Sequence, residues 1–182
     1  IPMGAGLGGG SSDAAFVLKA LNSEFKLGLS TEQLKSYAAA LGSDCAFFIE
    51  NKPAIATGRG EILNTINLSL KGYYLVLIKP DVHVGTAEAY SNIIPRKPQV
   101  QLLEIISTPM ESWKKYLVND FENNIFSRHP VIADIKAKLY DLGALYAAMS
   151  GSGSTVFGLF KNKVNLDIFS GSFFVYENVI DL

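Results

Sequence analysis

The chain has 182 residues, of which 48% are hydrophobic and 11% aromatic. This composition excludes general disorder and is enough for one domain or two small ones with a buried core. Lysine and arginine total 16 against 17 aspartate and glutamate, a formal net charge of -1 without a basic block. Nucleic-acid binding is therefore not expected, and the charge favours a small-molecule partner.

Cys45 is the only cysteine, so an internal disulfide is excluded and a four-ligand zinc site would lack its usual thiolates. No apolar run approaches the roughly 18 residues of a membrane helix, and no secretory leader is recognisable. We expect a cytoplasmic protein that does not bind membranes. Because Ile1 stands directly against a glycine-rich stretch that normally follows a strand, we also expect a segment that precedes it.

Two helices are predicted after the glycine-rich stretch. Ser11 or Ser12 can cap the first helix, and Ser30 with Gln33 forms a capping box for the second, which Gly42 ends. Both segments carry apolar residues at helical spacing. The apolar stripes are Ala14, Val17, Leu18, Leu21 and Phe25 in the first helix, and Leu34, Tyr37, Ala38 and Leu41 in the second.

The next segments are rich in β-forming residues. The run CAFFIE at 45–50 is apolar and β-prone, and residues 54–66 predict a hairpin around Gly58 and Gly60. Residues 72–80, GYYLVLIKP, form a continuous apolar run bounded by glycine and proline, which predicts a buried strand at the start of a second domain. The predicted domains are residues 1–70 and 71–182.

Helices and strands intermingle in the remainder of the chain. Helices are predicted near residues 86–92, 99–107 and 111–118 and after Pro130, where Ile132, Ile135 and Leu139 recur, and strands at 155–160 and 173–179. Helices interspersed with hairpin-like strands indicate an α+β sandwich rather than a doubly wound sheet.

The glycine-rich stretch PMGAGLGGGSSDAA, residues 2–15, is typical of a phosphate-binding loop. Glycine permits a positive φ, so several backbone N–H groups can converge on one anion. A helix that follows adds the positive end of its dipole. Glycines that merely allow close packing at a turn would explain only part of the pattern.

Two other glycine motifs fit this stretch less well. Gly4, Gly6 and Gly9 satisfy the dinucleotide-binding pattern GxGxxG, but the acid expected about 20 residues later, Glu24, lies on a predicted helix. A Walker A loop needs a lysine just before serine or threonine, and the first lysine is Lys19. Phosphate binding by a different kind of loop is therefore favoured.

This stretch resembles the phosphate-binding motif of the GHMP kinases, the superfamily of galactokinase, homoserine kinase, mevalonate kinase and the isoprenoid kinases. Three further segments are similar to family segments, in the family's order. They are LGSDCAFFI (41–49), similar to the catalytic aspartate segment, ATGRGEIL (56–63), similar to the hairpin after it, and MSGSGSTVFGLF (149–160), similar to the C-terminal glycine motif. The similarity covers nearly the whole chain.

The resemblance implies an α+β GHMP kinase fold, a two-domain α/β sandwich. Its N-terminal part, incomplete here, would be ribosomal S5 domain 2-like, and its C-terminal domain ferredoxin-like. The similarity is strongest to members that use ATP and Mg²⁺ to phosphorylate the 2-hydroxyl of 4-diphosphocytidyl-2-C-methyl-D-erythritol, in the non-mevalonate pathway to isoprenoid precursors. Two alternatives stay open: another GHMP kinase, acting on homoserine, a sugar or mevalonate, or a catalytically inactive nucleotide-binding domain.

The resemblance also assigns residues to catalysis and to ATP. Asp44, which alone would be taken for a turn or helix cap, matches the aspartate that accepts the proton of the attacking hydroxyl beside a lysine from an earlier segment. Without that segment the chain alone is expected to be inactive. Ser12 lies where its hydroxyl can approach the magnesium that accompanies ATP. The residues implied to bind ATP are Gly4, Gly6, Gly8, Gly9, Gly10, Ser11 and Ser12.

A second set of residues would bind the acceptor substrate. They are Thr86 and Tyr90, in a segment that matches the family's substrate-holding segment, and Ser150, Gly151, Ser152 and Gly153, in the second glycine loop. Glycines alternating with hydroxyls again expose backbone N–H groups, although a tight turn between strands would use them too. Asn119 and Asp120 match a recurring family stretch and are expected to be structural, as are the isolated His83 and His129.

Overall fold

The structure is a computed structural model that describes residues 1–91, 93–94, 97–171 and 173–181. Its contacts divide the chain into two compact units, one of Ile1 with Gly8–Leu68 and one of Pro2–Leu7 with Ser69–Leu182. The glycine-rich stretch therefore begins in the second unit and continues in the first. Among the described residues, no helix combines the length and apolarity needed to cross a bilayer.

The first unit consists of three helices and a two-stranded antiparallel sheet. The elements are α1 (Gly9–Glu24), α2 (Thr31–Leu41), α3 (Phe47–Glu50), β1 (Ala54–Thr57) and β2 (Ile62–Thr65). Thr57 pairs with Ile62 at the closed end of the hairpin, and Gly58 and Gly60 in its turn both have positive φ. The predicted hairpin is confirmed, because glycine supplies the turn conformations that other residues rarely adopt.

Helix α2 begins and ends where its sequence predicts. The hydroxyl of Ser30 accepts from the backbone N–H of Gln33 at 3.3 Å, and the Gln33 side chain accepts from the Ser30 N–H at 2.9 Å. The reciprocal bonds form the capping box and satisfy two N–H groups that the helix itself cannot. Gly42 is the residue at the C-terminal cap.

Two local predictions in this unit are wrong. Ser11 and Ser12 do not cap α1, because the helix already begins at Gly9 and Gly8 holds the cap position without a side-chain hydrogen bond. The left-handed backbone of Gly8, with φ of 67°, turns the chain into the helix before the serines are reached. The run at 45–50 forms no strand but ends in the short helix α3, whose Ile49 is buried against α1 and α2, so packing overrides β-propensity.

The core of the first unit lies where α1, α2 and α3 meet. Its buried residues are Ala15, Leu34, Ala38, Cys45 and Ile49. The apolar stripe predicted for α1 is only partly used, because Val17, Leu21 and Phe25 are exposed by 56, 43 and 66%. The helix turns Ala15 inward, and periodicity alone could not identify which apolar side would find a partner among the described residues.

The second unit combines a four-stranded sheet with helices. The elements are β3 (Tyr74–Pro80), α4 (Thr86–Tyr90), α5 (Leu102–Ile106), α6 (Met110–Trp113), α7 (Glu122–Arg128), α8 (Pro130–Asp141), β4 (Tyr146–Met149), β5 (Val156–Phe160), a 3₁₀ turn (Asp167–Phe169) and β6 (Phe173–Val179). The helices predicted at 86–92, 99–107 and 111–118 are present but shorter, and residue 92 lies outside the described residues. Helix α7 was not predicted from the sequence.

The sheet has the strand order β4-β5-β3-β6, and every neighbouring pair is antiparallel. The connection from β3 to β4 therefore skips a position that β5 later fills. Strand β3 is central, with Leu77 opposite Phe157 on one side and Tyr176 on the other, and both Val76 and Ile78 are buried. The buried strand predicted from the apolar run is confirmed.

Helix α8 closes the core of this unit. Pro130 occupies its first turn, where the missing N–H costs nothing. Ile132, Ile135 and Leu139 are at most 1% exposed and belong to one core with Val76, Ile78 and Val156 of the sheet. Their helical spacing predicted this face correctly.

Candidate functional site

The first glycine loop has an unusual backbone. Gly4, Gly6 and Gly8 have φ values of 60°, 74° and 67°, in the left-handed region that favours glycine. The two residues between them have ordinary backbone conformations, so the loop alternates. Alternation of this kind turns successive backbone N–H groups toward a common side, as an anion-binding loop requires.

In the first unit, the loop leads into the N-terminus of α1. The first helical bond of α1 runs from the Ser12 N–H to the Gly8 carbonyl at 2.9 Å. Within the described ranges, the N–H groups of Gly9, Gly10 and Ser11 have no protein acceptor. These donors and the positive end of a 16-residue helix suit a phosphate group.

In the second unit, a second glycine loop connects β4 and β5. Gly151 and Gly153 have φ values of 54° and 94°. The Ser150 N–H donates to the Thr155 carbonyl at 2.8 Å, and the Gly153 N–H donates to the Ser150 carbonyl at 3.0 Å. The loop is therefore a tight hydrogen-bonded turn between paired strands.

The two glycine loops contact each other within the second unit. The Ser150 hydroxyl donates to the Gly6 carbonyl at 2.7 Å, and the Thr155 N–H donates to the Ala5 carbonyl at 3.2 Å. A Cβ atom on Gly6 would lie 2.1 Å from the Ser150 carbonyl oxygen. Gly6 therefore has to be glycine for two reasons, its positive φ and the close approach of the second loop.

Side chains near α7 hold the second loop at its β4 end. The Asn119 amide donates to the carbonyls of Met149 and Gly151, both at 2.8 Å. Glu122 is a buried residue, 7% exposed, and its carboxylate accepts from the Met149 N–H at 2.9 Å and from Lys136 at 2.5 Å. Sequence reasoning gave Asn119 a structural role and did not name Glu122 or Lys136, since no local pattern shows contacts about 30 residues away.

Asp44 lies in the turn between α2 and α3 of the first unit and is exposed. One of its carboxylate oxygens is 3.1 Å from the position that a Cβ atom on Gly60 would take, so the hairpin turn lies against it. Over the described part of the chain, its carboxylate makes no hydrogen bond or ion pair with protein. An exposed carboxylate without a partner can accept a proton from a bound hydroxyl.

Thr86 and Tyr90 are exposed on the short helix α4 of the second unit. The Tyr90 ring packs edge-on against Phe121, with ring centroids 4.8 Å apart. Glu88 of the same helix accepts a hydrogen bond of 3.0 Å from His129. This bond holds the pKa of the Glu88 carboxyl below its ordinary value, and it fixes α4 to the junction of α7 and α8.

His83 also lies beside the first glycine loop, a contact that was not predicted from the sequence. Two of its ring atoms lie 3.1 Å from the position that a Cβ atom on Gly4 would occupy. A side chain on Gly4 would therefore meet the imidazole. The expected structural role of His83 is consistent with this contact, which lies inside the second unit.

Two models of one known family match the chain. The family model described as GHMP kinases N terminal domain matches residues 1–52, and the one described as GHMP kinases C terminal matches residues 102–170. The chain belongs to the GHMP kinase family. The predicted α+β GHMP kinase fold is confirmed, and the first model covers both the glycine loop and Asp44.

Two relatives of high sequence identity share one name. A protein of Bacteroides thetaiotaomicron named 4-diphosphocytidyl-2-C-methyl-D-erythritol kinase is 60% identical over 166 residues, 91% of this chain and 61% of the relative. A protein of the same name in Parabacteroides distasonis is 55% identical over 91% of this chain and 61% of its own length. The chain thus spans about three fifths of the length of these relatives.

Two solved structures are similar to the chain. The crystal structure of a 4-(cytidine 5'-diphospho)-2C-methyl-D-erythritol kinase matches 87% of this chain and 58% of its own with a TM-score of 0.73 and 34% identity. A homoserine kinase from Cytophaga hutchinsonii matches 100% of this chain and 68% of its own with a TM-score of 0.67 but 17% identity, which shows the fold alone.

Proposed function

We propose that the complete polypeptide containing this chain transfers the γ-phosphoryl group of ATP to the 2-hydroxyl of 4-diphosphocytidyl-2-C-methyl-D-erythritol. The observation that carries this proposal is the 60% identity over 91% of the chain to a relative that bears this enzyme's name. The two matching family models span both glycine loops and Asp44, at residues 1–52 and 102–170, and these are the parts that phosphoryl transfer would need.

The first glycine loop and the start of α1 are proposed to hold the phosphates of ATP. The N–H groups of Gly9, Gly10 and Ser11, which have no acceptor among the residues that the structure describes, suit an anion. The positive φ of Gly4, Gly6 and Gly8 is the backbone conformation that an anion-binding loop uses. Ser12 would approach Mg²⁺ with its hydroxyl. The ion would offset phosphate charge while the loop fixes orientation.

Asp44 is proposed to accept the proton of the attacking hydroxyl. Its exposed carboxylate has no competing partner among the described residues, and phosphoryl transfer depends more on positioning than on a strong base. Ser150, Gly151, Ser152 and Gly153 would shape the acceptor site, with Thr86 and Tyr90 contributing from α4.

The remaining assignments belong to the same proposal. Residues 1–70 would be the remainder of the N-terminal, ATP-binding domain, and residues 71–182 the C-terminal domain. The enzyme would act in the cytoplasm on a small molecule, in the non-mevalonate route to isoprenoid precursors, without binding nucleic acid or membranes. The named relatives support the substrate, and the charge balance of -1 supports a partner that is not nucleic acid.

A substrate panel tests the proposal. The complete polypeptide is incubated with ATP, Mg²⁺ and one acceptor at a time: 4-diphosphocytidyl-2-C-methyl-D-erythritol, homoserine, mevalonate or galactose. ADP release is followed, and the product is identified by mass and phosphorus NMR. We expect turnover with the cytidyl acceptor alone and phosphate on its 2-hydroxyl. Turnover with a different acceptor would identify another GHMP kinase, and ATP binding without any product would identify an inactive nucleotide-binding protein.

A further inference from the structure

We propose that Asn119 is a positioning residue for the second glycine loop. Its side-chain amide fixes the direction of the Ser152 N–H. The inference rests on the proposed function, because it concerns how the second glycine loop would present donors to the acceptor. All of the contacts that support it lie within the second unit.

The orientation of the Asn119 amide is set by three hydrogen bonds. Its Nδ2 donates to the carbonyls of Met149 and Gly151, each at 2.8 Å, and its Oδ1 accepts from the Phe121 N–H at 3.0 Å. If the amide were flipped, its oxygen would face the carbonyl oxygens of Met149 and Gly151, and its nitrogen would face the Phe121 N–H. Only one orientation satisfies all three bonds.

The bond to Gly151 determines where the next donor points. In a trans peptide the C=O and the following N–H are antiparallel, so a Gly151 carbonyl that faces Asn119 directs the Ser152 N–H to the opposite side. In the described part of the chain, that N–H has no protein acceptor. Asn119 thus holds an available donor in a fixed direction.

The loop needs this support because its own sequence is permissive. Ser152 stands between Gly151 and Gly153, both with positive φ, and glycine backbones can exchange conformations at little cost. Gly151 is also exposed, and the nearest atom to a Cβ at this position would be the Gly6 carbonyl oxygen at 3.2 Å. Without the Asn119 bond, the Gly151 carbonyl would lose the hydrogen bond that sets the orientation of the peptide between Gly151 and Ser152.

Glu122 and Lys136 help to hold Met149, the residue that Asn119 also contacts. Met149 is the last residue of β4, which is an edge strand of the sheet that the described residues form, so its outward backbone groups face no other strand of that sheet. Its N–H donates to buried Glu122, which Lys136 neutralises, while its carbonyl accepts from Asn119. The N–H and the carbonyl of Met149 are therefore both hydrogen-bonded by side chains near the start of α7, and this holds the first residue before the loop in place.

Asn119→Asp and Asn119→Ala test the inference in the complete polypeptide. Aspartate keeps the size but replaces the donor with an oxygen that repels two carbonyls, whereas alanine removes the group. The matched control is Asn123→Asp, the same chemical change at an exposed position of α7. Steady-state kinetics with the cytidyl acceptor and hydrogen–deuterium exchange of the loop peptide 149–155 are measured on all three variants.

We expect both Asn119 variants to lower kcat/KM for the acceptor by about 10- to 100-fold and to raise its KM, because a donor is misplaced. Exchange in the loop peptide should rise, while Asn123→Asp behaves as the wild type. A purely structural role would lower the amount of folded enzyme and leave KM unchanged, and that result would overturn the inference.

The exchange measurement separates this inference from the proposed function. A wild type without turnover contradicts the proposed function, yet exchange of the loop peptide still reports whether Asn119 orders the loop. Unchanged exchange in Asn119→Asp would overturn the positioning role whatever the activity. Faster exchange confined to residues 149–155 would support it.

Discussion

The hydroxyl of Ser150 donates a hydrogen bond of 2.7 Å to the backbone carbonyl of Gly6, a residue 144 positions earlier in the chain. The bond joins the two glycine loops that the sequence identifies separately. Because this bond connects the loops, a displacement of Gly6 is expected to displace Ser150, and both loops are proposed to contribute backbone donors to the reaction.

Gly6→Ala should destabilise the protein and weaken ATP binding. A methyl group at this position would lie 2.1 Å from the Ser150 carbonyl oxygen, and the φ of 74° is strained for alanine. The two effects together are expected to cost about 2–4 kcal/mol of the free energy of unfolding, measured by urea denaturation. Gly85→Ala is the control, because its φ is −70° and its nearest neighbour would be 4.0 Å away. Equal stability of the two variants would contradict the tight loop contact.

Asp44→Asn should lower turnover while leaving nucleotide affinity unchanged. Asparagine has nearly the shape of aspartate but cannot accept the proton, and loss of such a group typically lowers kcat about 10²- to 10⁴-fold. Steady-state kinetics and calorimetric ATP titration of the complete polypeptide separate the two quantities. Asp141→Asn, at the exposed end of α8, should retain wild-type turnover. Wild-type turnover in Asp44→Asn would remove Asp44 from the mechanism.

Lys136→Met should destabilise the protein far more than the same change at a surface lysine. It leaves the Glu122 carboxylate, whose side chain is 9% exposed, without its cation at 2.5 Å. An uncompensated buried charge costs about 3 kcal/mol in the free energy of unfolding. Lys138→Met, at an exposed position of the same helix, should have little effect.

A double variant checks the cause of that loss. Lys136→Met combined with Glu122→Gln removes both charges, so it should recover part of the stability that Lys136→Met alone loses. If the double variant is less stable than the single one by the full cost of a second independent change, the ion pair is not the source of the effect.

The contact between Glu88 and His129 should make stability depend on pH in the acid range. The hydrogen bond from His129 keeps the pKa of Glu88 below its ordinary value of 4.5, so the unfolded chain takes up this proton first as pH falls. The stabilisation is complete above about pH 4.5 and is lost as pH falls through the lower pKa of the folded state.

Glu88→Gln tests this sign by urea denaturation across that range. The wild type should be more stable than the variant at about pH 6, and the difference should shrink as pH falls below about 4.5. Glu104→Gln, an exposed position on α5, should show no comparable trend. A difference that grows on acidification would contradict the direction of the pKa shift.

Local signals in the sequence predicted several elements correctly. The capping box at Ser30, the hairpin glycines and the apolar spacing of α8 each act within a few residues, so the sequence around them contains the cause of the structure. The glycine-rich stretch predicted its own left-handed backbone for the same reason, because only glycine adopts positive φ at little cost.

The exceptions were decided by packing. The start of α1 depends on Gly8, where a Cβ atom would meet Phe48 of α3 at 2.9 Å, and the helix α3 itself depends on burial of Ile49. Apolar spacing identified candidate faces of α1 without showing which one would be buried. Burial depends on the surface that lies opposite, and a helix does not encode that surface.

The sequence by itself therefore determined the type of the first glycine loop, the main helices and strands, and the family to which the chain belongs. Only the tertiary structure decided that Ser150 meets Gly6 and that Asn119 and Glu122 support the second loop. Hydrogen bonds between groups about 30 to 140 residues apart leave no local pattern, because their geometry is created by the folded backbone and not by the neighbours of either residue.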